Sequence, residues 1–338
     1  RFRARIGANE NGFGPSPLAV EAMRRAAGDI WKYADPENRE LRERIAVRLG
    51  VRSENVIVGE GIDGLLGLTV RLTVGPGAKV VTSLGAYPTF NFHVDGFGGE
   101  LVRVPYVDDR EDWHALLGAA RAVDAPLIYL ANPDNPMGTY WPAAEIEAFV
   151  TALPERALLC LDEAYVDFMD ESLMPRIDVE DSRVIRFRTF SKAYGMAGAR
   201  IGYALGAAAV IAEFEKIRNH FGVNLVAQAG ALASLADAGH LPRIRLAVAA
   251  ARARIGEIVA RHGLVAIPSA TNFVAVDTGR DGGFARRLLG ELIARDVFVR
   301  MPGVAPLDRT IRIGCGRDEE LDVFAAELPA ALEAARSI

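Results

Sequence analysis

Between Asn55 and Leu205 short apolar runs recur with longer, helix-like segments between them, and this alternation limits the possible folds more than any other feature of the chain. The runs Asn55 to Val58, Lys79 to Ser83, Pro126 to Ala131, Ala157 to Asp162, Val184 to Phe187 and Ile201 to Leu205 each read as a strand buried on both faces. Separated by helices such as the one expected from Gly64 to Val74, they imply an α/β fold with a mostly parallel sheet covered by helices on both faces. Ahead of them, Ser16 as N-cap and Pro17 in the first turn open a helix that Gly28 stops, and a second helix runs from Asn38 to Leu49.

Beyond Gly206 the pattern changes to Ala-rich helices over 207–219, 225–236 and 242–262. A strand from Thr271, a helix over 284–294, short strands at Val297 and Thr310 and a terminal amphipathic helix follow. The expected division is an N-terminal arm with part of a small domain over 1–28, a large domain over 29–238, and a small α+β domain over 239–338.

A net charge of -5 argues against a nucleic-acid partner, and no run of about 18 apolar residues marks a membrane span. Arg1-Phe2-Arg3-Ala4-Arg5-Ile6 lacks the apolar centre of a signal peptide. Cys160 and Cys315 stand far apart in apolar runs, without metal-ligand or disulfide spacing, which points to free thiols in the cytoplasm. No metal is expected.

In an open α/β sheet ligands bind outside the carboxyl ends of the strands. There the chain places Thr189-Phe190-Ser191-Lys192-Ala193-Tyr194-Gly195-Met196-Ala197-Gly198-Ala199-Arg200, one lysine among hydroxyls, glycines and an arginine. Lysine can form a Schiff base with an aldehyde, while the hydroxyls and Arg200 can hold a phosphate, so the segment points to pyridoxal phosphate. A loop lysine alone is more often solvated surface charge, so partners are needed.

Asp162 ends an apolar strand and suits a pyridinium nitrogen; at ~4 Å and an effective dielectric of about 20 a carboxylate contributes roughly 4 kcal/mol. Standing alone it reads slightly better as an N-cap or a buried salt-bridge acid. Asn132-Pro133-Asp134-Asn135-Pro136-Met137-Gly138 is a rigid turn that would aim the Asn135 amide at a ring oxygen, with Tyr165 as a second donor. Phe90 could stack on the ring, although a core position is the commoner fate of phenylalanine. Arg312, inside an apolar strand, suits a substrate carboxylate or a structural ion pair.

Gly59-Glu60-Gly61-Ile62-Asp63-Gly64 lies between a strand and a helix, where free amides face an anion. It also fits the dinucleotide fingerprint of an NAD-dependent oxidoreductase, but that fingerprint needs an acid ending the next strand, and Lys79 to Leu84 has none. The loop therefore reads as a phosphate cradle.

Together these segments resemble the fold-type I pyridoxal phosphate aminotransferases of class II, most closely the histidinol-phosphate aminotransferase family. The resemblance rests on Asn9-Glu10-Asn11, Tyr33 to Pro36, Gly61-Ile62-Asp63, Pro88-Thr89-Phe90, Asn132 to Gly138, Asp162 to Tyr165, Ser191-Lys192 with Arg200, and Ile311-Arg312-Ile313. It implies that Lys192 joins the cofactor and moves the substrate proton, that Asp162 meets the ring nitrogen, and that Asn135 and Tyr165 meet the ring oxygen. Phe90 would stack on the ring, and the amides of Ile62 and Asp63 with Thr189, Ser191 and Arg200 would hold the phosphate. Tyr33 would reach that phosphate in the neighbouring subunit of a homodimer, and Arg312, with Asn9 nearby, would clamp a substrate carboxylate.

The implied reaction is ping-pong amino transfer between a histidinol phosphate-like donor and 2-oxoglutarate. Alternatives are an aromatic amino acid aminotransferase, a phosphothreonine decarboxylase-like enzyme, and a non-catalytic module that binds pyridoxal phosphate. The chain departs from the family at Gly64, where an acid is usual, at Phe90 and His93, where tyrosines are common, at Met137 for threonine, and at Asn219 to Asn224.

Overall fold

A computed structural model describes residues 2–337; Arg1 and Ile338, which end the two expected outer segments, lie outside the described residues. The seven-stranded sheet runs in the order Val56–Gly59, Gly202–Leu205, Val184–Thr189, Leu158–Asp162, Leu127–Ala131, Lys79–Ser83 and Glu100–Val104. All neighbours are parallel except Gly202–Leu205, which is antiparallel to both of its own.

The two-residue period of a strand divides these apolar runs between two cores. Leu127 and Tyr129 point to one face with Val80, Cys160 and Phe187, under the helices Gly61–Thr73 and Pro88–Gly96. Ile128 and Leu130 point to the other with Val81, Leu159 and Leu161, under Trp113–Val123 and Ala143–Thr151. A continuous apolar run is what a strand covered on both faces requires.

The C-terminal strands Phe273–Asp277 and Thr310–Gly314 pair antiparallel. The N-terminus returns to this part of the chain, since Ala4–Arg5 pairs in parallel with Val297–Phe298. The helix Pro17–Ala26 instead packs on Leu225–Ala236, where Gly230 gives room for Met23.

Several expected bounds move. The helix expected from Gly64 begins at Gly61, because Gly61 takes φ +82° and turns the chain into the helix directly after the strand. The helix expected over 207–219 closes at Glu215, and the long helix begins at His240, ahead of Pro242, which its first turn tolerates. The helices Pro88–Gly96, Trp113–Val123 and Ala143–Thr151 and the strand Glu100–Val104 add to the expected set. Among the described residues no helix is long and apolar enough to cross a membrane.

Candidate active site

The carboxyl ends of the parallel strands open into a cleft of about 270 Å³, and every expected site residue except Phe90 and Tyr33 lines it. Its floor is Asp162, the last residue of its strand, 5% exposed. Asp162 Oδ2 accepts from the Tyr129 hydroxyl at 2.7 Å, and Oδ1 from the Ala164 amide at 2.9 Å. Burial raises the Asp162 pKa, while these hydrogen bonds and the Lys192 charge oppose the rise. An anion held in this way favours a cationic partner in the cleft.

Lys192 follows the Val184–Thr189 strand and stands half-buried, donating from Nζ to the Asn9 carbonyl at 3.2 Å. Its ammonium lies 5.4 Å from the centre of the Tyr165 ring. The Tyr165 hydroxyl accepts from Asn9 Nδ2 at 3.0 Å, which leaves its own proton to donate. The N-terminal arm thus touches two of the site's side chains through one residue.

The turn after Leu127–Ala131 is fixed by its own polar groups. Asp134 accepts from the Met137 amide at 2.9 Å and from the Tyr106 hydroxyl at 2.8 Å, and Asn132 exchanges hydrogen bonds with the backbone of Trp141. Asn135, held on this turn, accepts at Oδ1 from Arg312 Nη1. The Arg312 guanidinium lies 5.0 Å from the Phe273 ring centre, and its Nε is buried without a hydrogen-bond partner among the described residues. Burial lowers the Arg312 pKa, the cost of keeping a cation inside until an anion meets it.

At the other end, the helix Gly61–Thr73 opens without a side-chain cap, so its first amides remain available beside Ile62 and Asp63. A Cβ on Gly61 would lie 2.6 Å from Arg200 Nη2, so the guanidinium rests directly on the helix start. Arg200 donates from Nη1 to the Ala197 carbonyl at 2.8 Å, a neutral partner that leaves its charge uncancelled. The buried hydroxyls of Thr189 and Ser191 complete this positive corner.

Phe90 corrects an expectation. It is fully buried, with its ring stacked on Tyr129 at 4.6 Å, and does not line the cleft. Its helix starts at Pro88, which turns Phe90 toward the sheet and leaves Tyr87, before the first turn, on the cleft wall. Tyr33 is 83% exposed and packs on Phe221 at 4.8 Å, outside the cleft of its own chain.

Sequence reasoning missed Tyr87, Tyr129 and Arg300. Arg300 lines the cleft because its backbone bridges that of Arg312, a pairing that sets both side chains on one face. Alternation along Leu127–Ala131 puts Tyr129 inside, and a buried hydroxyl requires a partner, so the Asp162 contact could have been anticipated.

Residues 5–328 match the family described as aminotransferase class I and II. The chain is 32% identical to a histidinol-phosphate aminotransferase of Moorella thermoacetica, with 95% of this chain and 83% of the relative covered. It is 36% identical to one of Anaeromyxobacter, covering 94% and 88%. A crystal structure of histidinol-phosphate aminotransferase from Sinorhizobium meliloti in complex with pyridoxal-5'-phosphate superposes with a TM-score of 0.97 at 55% identity, over 98% of this chain and 91% of that one. With a lysine, a buried aspartate, two asparagines and three arginines gathered in one cleft of a fold shared along nearly the whole chain, this protein belongs to the class I and II aminotransferase family.

Proposed function

We propose that this protein is a cytoplasmic, homodimeric, pyridoxal phosphate-dependent aminotransferase that moves an amino group between a histidinol phosphate-like donor and 2-oxoglutarate. The observation that carries the reading is the placement of Arg312 and Arg300 in the same cleft as Lys192 and Asp162. It offers two cations to the anionic end of a substrate and an amine to its reacting carbon. The Sinorhizobium relative, in complex with that cofactor, supports the same reading.

The residues fit the cofactor. The uncapped helix start, the Arg200 guanidinium and the hydroxyls of Thr189 and Ser191 would hold its phosphate, a site the dipole of the Gly61–Thr73 helix favours. Asp162 would pair with the ring nitrogen, and Asn135 Nδ2 and the Tyr165 hydroxyl would donate to the ring oxygen. Tyr87 and Tyr165 are the aromatic side chains that line the cleft among the described residues. When bound, the cofactor supplies an electron sink for the substrate carbon's bonding pair.

Within that frame Lys192 takes and returns the proton of the substrate carbon at Nζ, and Asp162 keeps its negative charge to stabilise a protonated ring. Arg312 orients the substrate by its anionic end, and Arg300 adds a second charge toward solvent. Tyr33, with the exposed Ile30 and Trp31 close to it in the chain and Phe221 against its ring, belongs to the face that would meet a second copy, where Tyr33 would reach the partner's phosphate site. All three expected segments contribute to the cleft: Asn9 from 1–28, Lys192 from 29–238 and Arg312 from 239–338.

Half-reactions with histidinol phosphate, glutamate, phenylalanine, tyrosine and phosphothreonine, followed by conversion of the cofactor to its amine form, test the reading. Histidinol phosphate should react at least about 100-fold faster than the aromatic donors. Aromatic donors reacting while histidinol phosphate does not would overturn the substrate. Borohydride treatment should attach the cofactor to the peptide that contains Lys192, and attachment elsewhere would overturn the lysine's role.

A further inference from the structure

The helix Gly61–Thr73 carries glycine at 61, 64 and 67, and each lies against another side chain: Arg200, Glu60 and His93. A Cβ on Gly67 would lie 2.7 Å from His93 Cε1, so the imidazole sits flush on the helix backbone. From that seat Nε2 meets Asp63 Oδ1 at 3.1 Å. Asp63 lines the cleft, whereas His93, on the helix Pro88–Gly96, stands behind it.

This arrangement addresses an electrostatic conflict. The start of the Gly61–Thr73 helix is where the cofactor phosphate would sit, and Asp63 places a second anion at the same end. Two anions that close repel unless a cation stands with one of them. We propose that His93 is a positioning residue for cofactor retention: it holds the Asp63 carboxylate on the side of the Pro88–Gly96 helix and, as imidazolium, cancels its charge beside the phosphate cradle. The proposal rests on the cofactor reading above.

The other charged groups around His93 leave Asp63 as its partner. On the helix that His93 packs against, Arg71 donates to the Ile217 carbonyl, and Glu60, just ahead of it, lies toward Gly64 and Asn219. Asp95 on its own helix, and Glu100 and Arg103 on the neighbouring strand, are exposed. The hydrogen bond to Asp63 raises the His93 pKa, against burial, which lowers it. The imidazolium therefore persists to higher pH than in a free histidine; once it loses its proton, the Asp63 charge stands alone and a phosphate-bearing ligand is held less tightly.

Calorimetric titration of the full chain with pyridoxamine phosphate, which needs no bond to Lys192, reads this directly. Wild type, His93→Gln, Asp63→Asn and the double variant are compared from about pH 6 to about pH 9, a range that spans histidine titration. The amide introduced by His93→Gln can keep a hydrogen bond to Asp63 but carries no charge. At the acid end His93→Gln should bind about fivefold more weakly than wild type, and the two should converge at the alkaline end. With Asp63→Asn present, His93→Gln should change affinity less than twofold at any pH. A constant offset at all pH values, or no difference, would overturn the proposal. Wild type failing to bind pyridoxamine phosphate at every pH would remove the cofactor reading itself, a separate outcome.

Discussion

Arg312 Nη1 donates to Asn135 Oδ1 at 2.6 Å, joining a C-terminal strand to the turn that follows Leu127–Ala131. Because a guanidinium only donates, the contact identifies the amide oxygen and leaves Asn135 Nδ2 as the free donor. Arg312→Lys keeps the charge but loses the fork that meets both a carboxylate and Asn135. The expected result is a fall in kcat/KM for glutamate of about 100-fold, mostly through KM, with Arg312→Ala lower still. Steady-state kinetics with varied glutamate checks this.

Asp162 accepts two hydrogen bonds, and these with the Lys192 charge oppose the rise in its pKa that burial causes. Asp162→Asn retains the shape but removes the anion that would pair with a protonated ring. The amino-donor half-reaction should slow at least about 100-fold, equivalent to roughly 3 kcal/mol of transition-state stabilisation. Stopped-flow absorbance measures the rate, and far-UV circular dichroism should match that of wild type.

Behind the Asn135 turn lie two buried acids. Glu111 accepts from the Ala131 amide at 2.8 Å, and its other oxygen, Oε2, is buried without a hydrogen-bond partner among the described residues. Burial first, and then the charge of Asp134, raises the Glu111 pKa, while burial pushes Asp134 up to about 7. An acid whose folded pKa exceeds its unfolded value of about 4 binds its proton more tightly in the native state. Its contribution to stability is full below about pH 4 and is lost as pH rises toward about 7. Glu111→Gln keeps the shape of the side chain and removes its titrating proton. Thermal melts should therefore show the variant gaining on wild type as pH rises across that interval, and a pH-independent difference would refute the raised Glu111 pKa.

Gly61 combines φ +82° with contact to Arg200. Gly61→Ala adds strain of roughly 1 kcal/mol and pushes the guanidinium off the helix start. Cofactor should leave the variant at least about tenfold faster than wild type, read as loss of bound absorbance after dilution.

Six of the seven strands are legible because they are buried on both faces, and several continuous apolar runs too short for membrane spans suit little but a covered sheet. The edge strand Glu100–Val104 is largely unburied and gives no such run. The polar residues at the strand ends are legible for a related reason: Asp162 and Lys192 interrupt apolar context where a sheet of this type opens. Phe90 is misread from sequence because little there announces the helix Pro88–Gly96. Only Phe90 and Val94 are buried in it, too sparse a stripe to set a helical phase, and without that phase Tyr87 and Phe90 cannot be assigned to opposite sides. The helix Trp113–Val123, by contrast, carries Trp113, Leu116, Leu117 and Ala120 at helical spacing behind the N-cap Asp112, a signal open to reading. Arg300 has no local signal, since its place depends on which strand lies beside Arg312. The His93 contact with Asp63 likewise depends on two helices meeting across Gly67.

The glycines of the Gly61–Thr73 helix also set limits on engineering. Replacing helical glycine with alanine is a common route to heat tolerance, contributing roughly 0.5–1 kcal/mol per site where the new methyl has room. Gly118 and Gly290 lie in helices with nothing within 4 Å of an added Cβ and are open to that change. Gly61 and Gly67 are closed to it, because a methyl there would displace Arg200 or His93. Thermal hardening of this chain by glycine replacement is therefore better sought away from the Gly61–Thr73 helix.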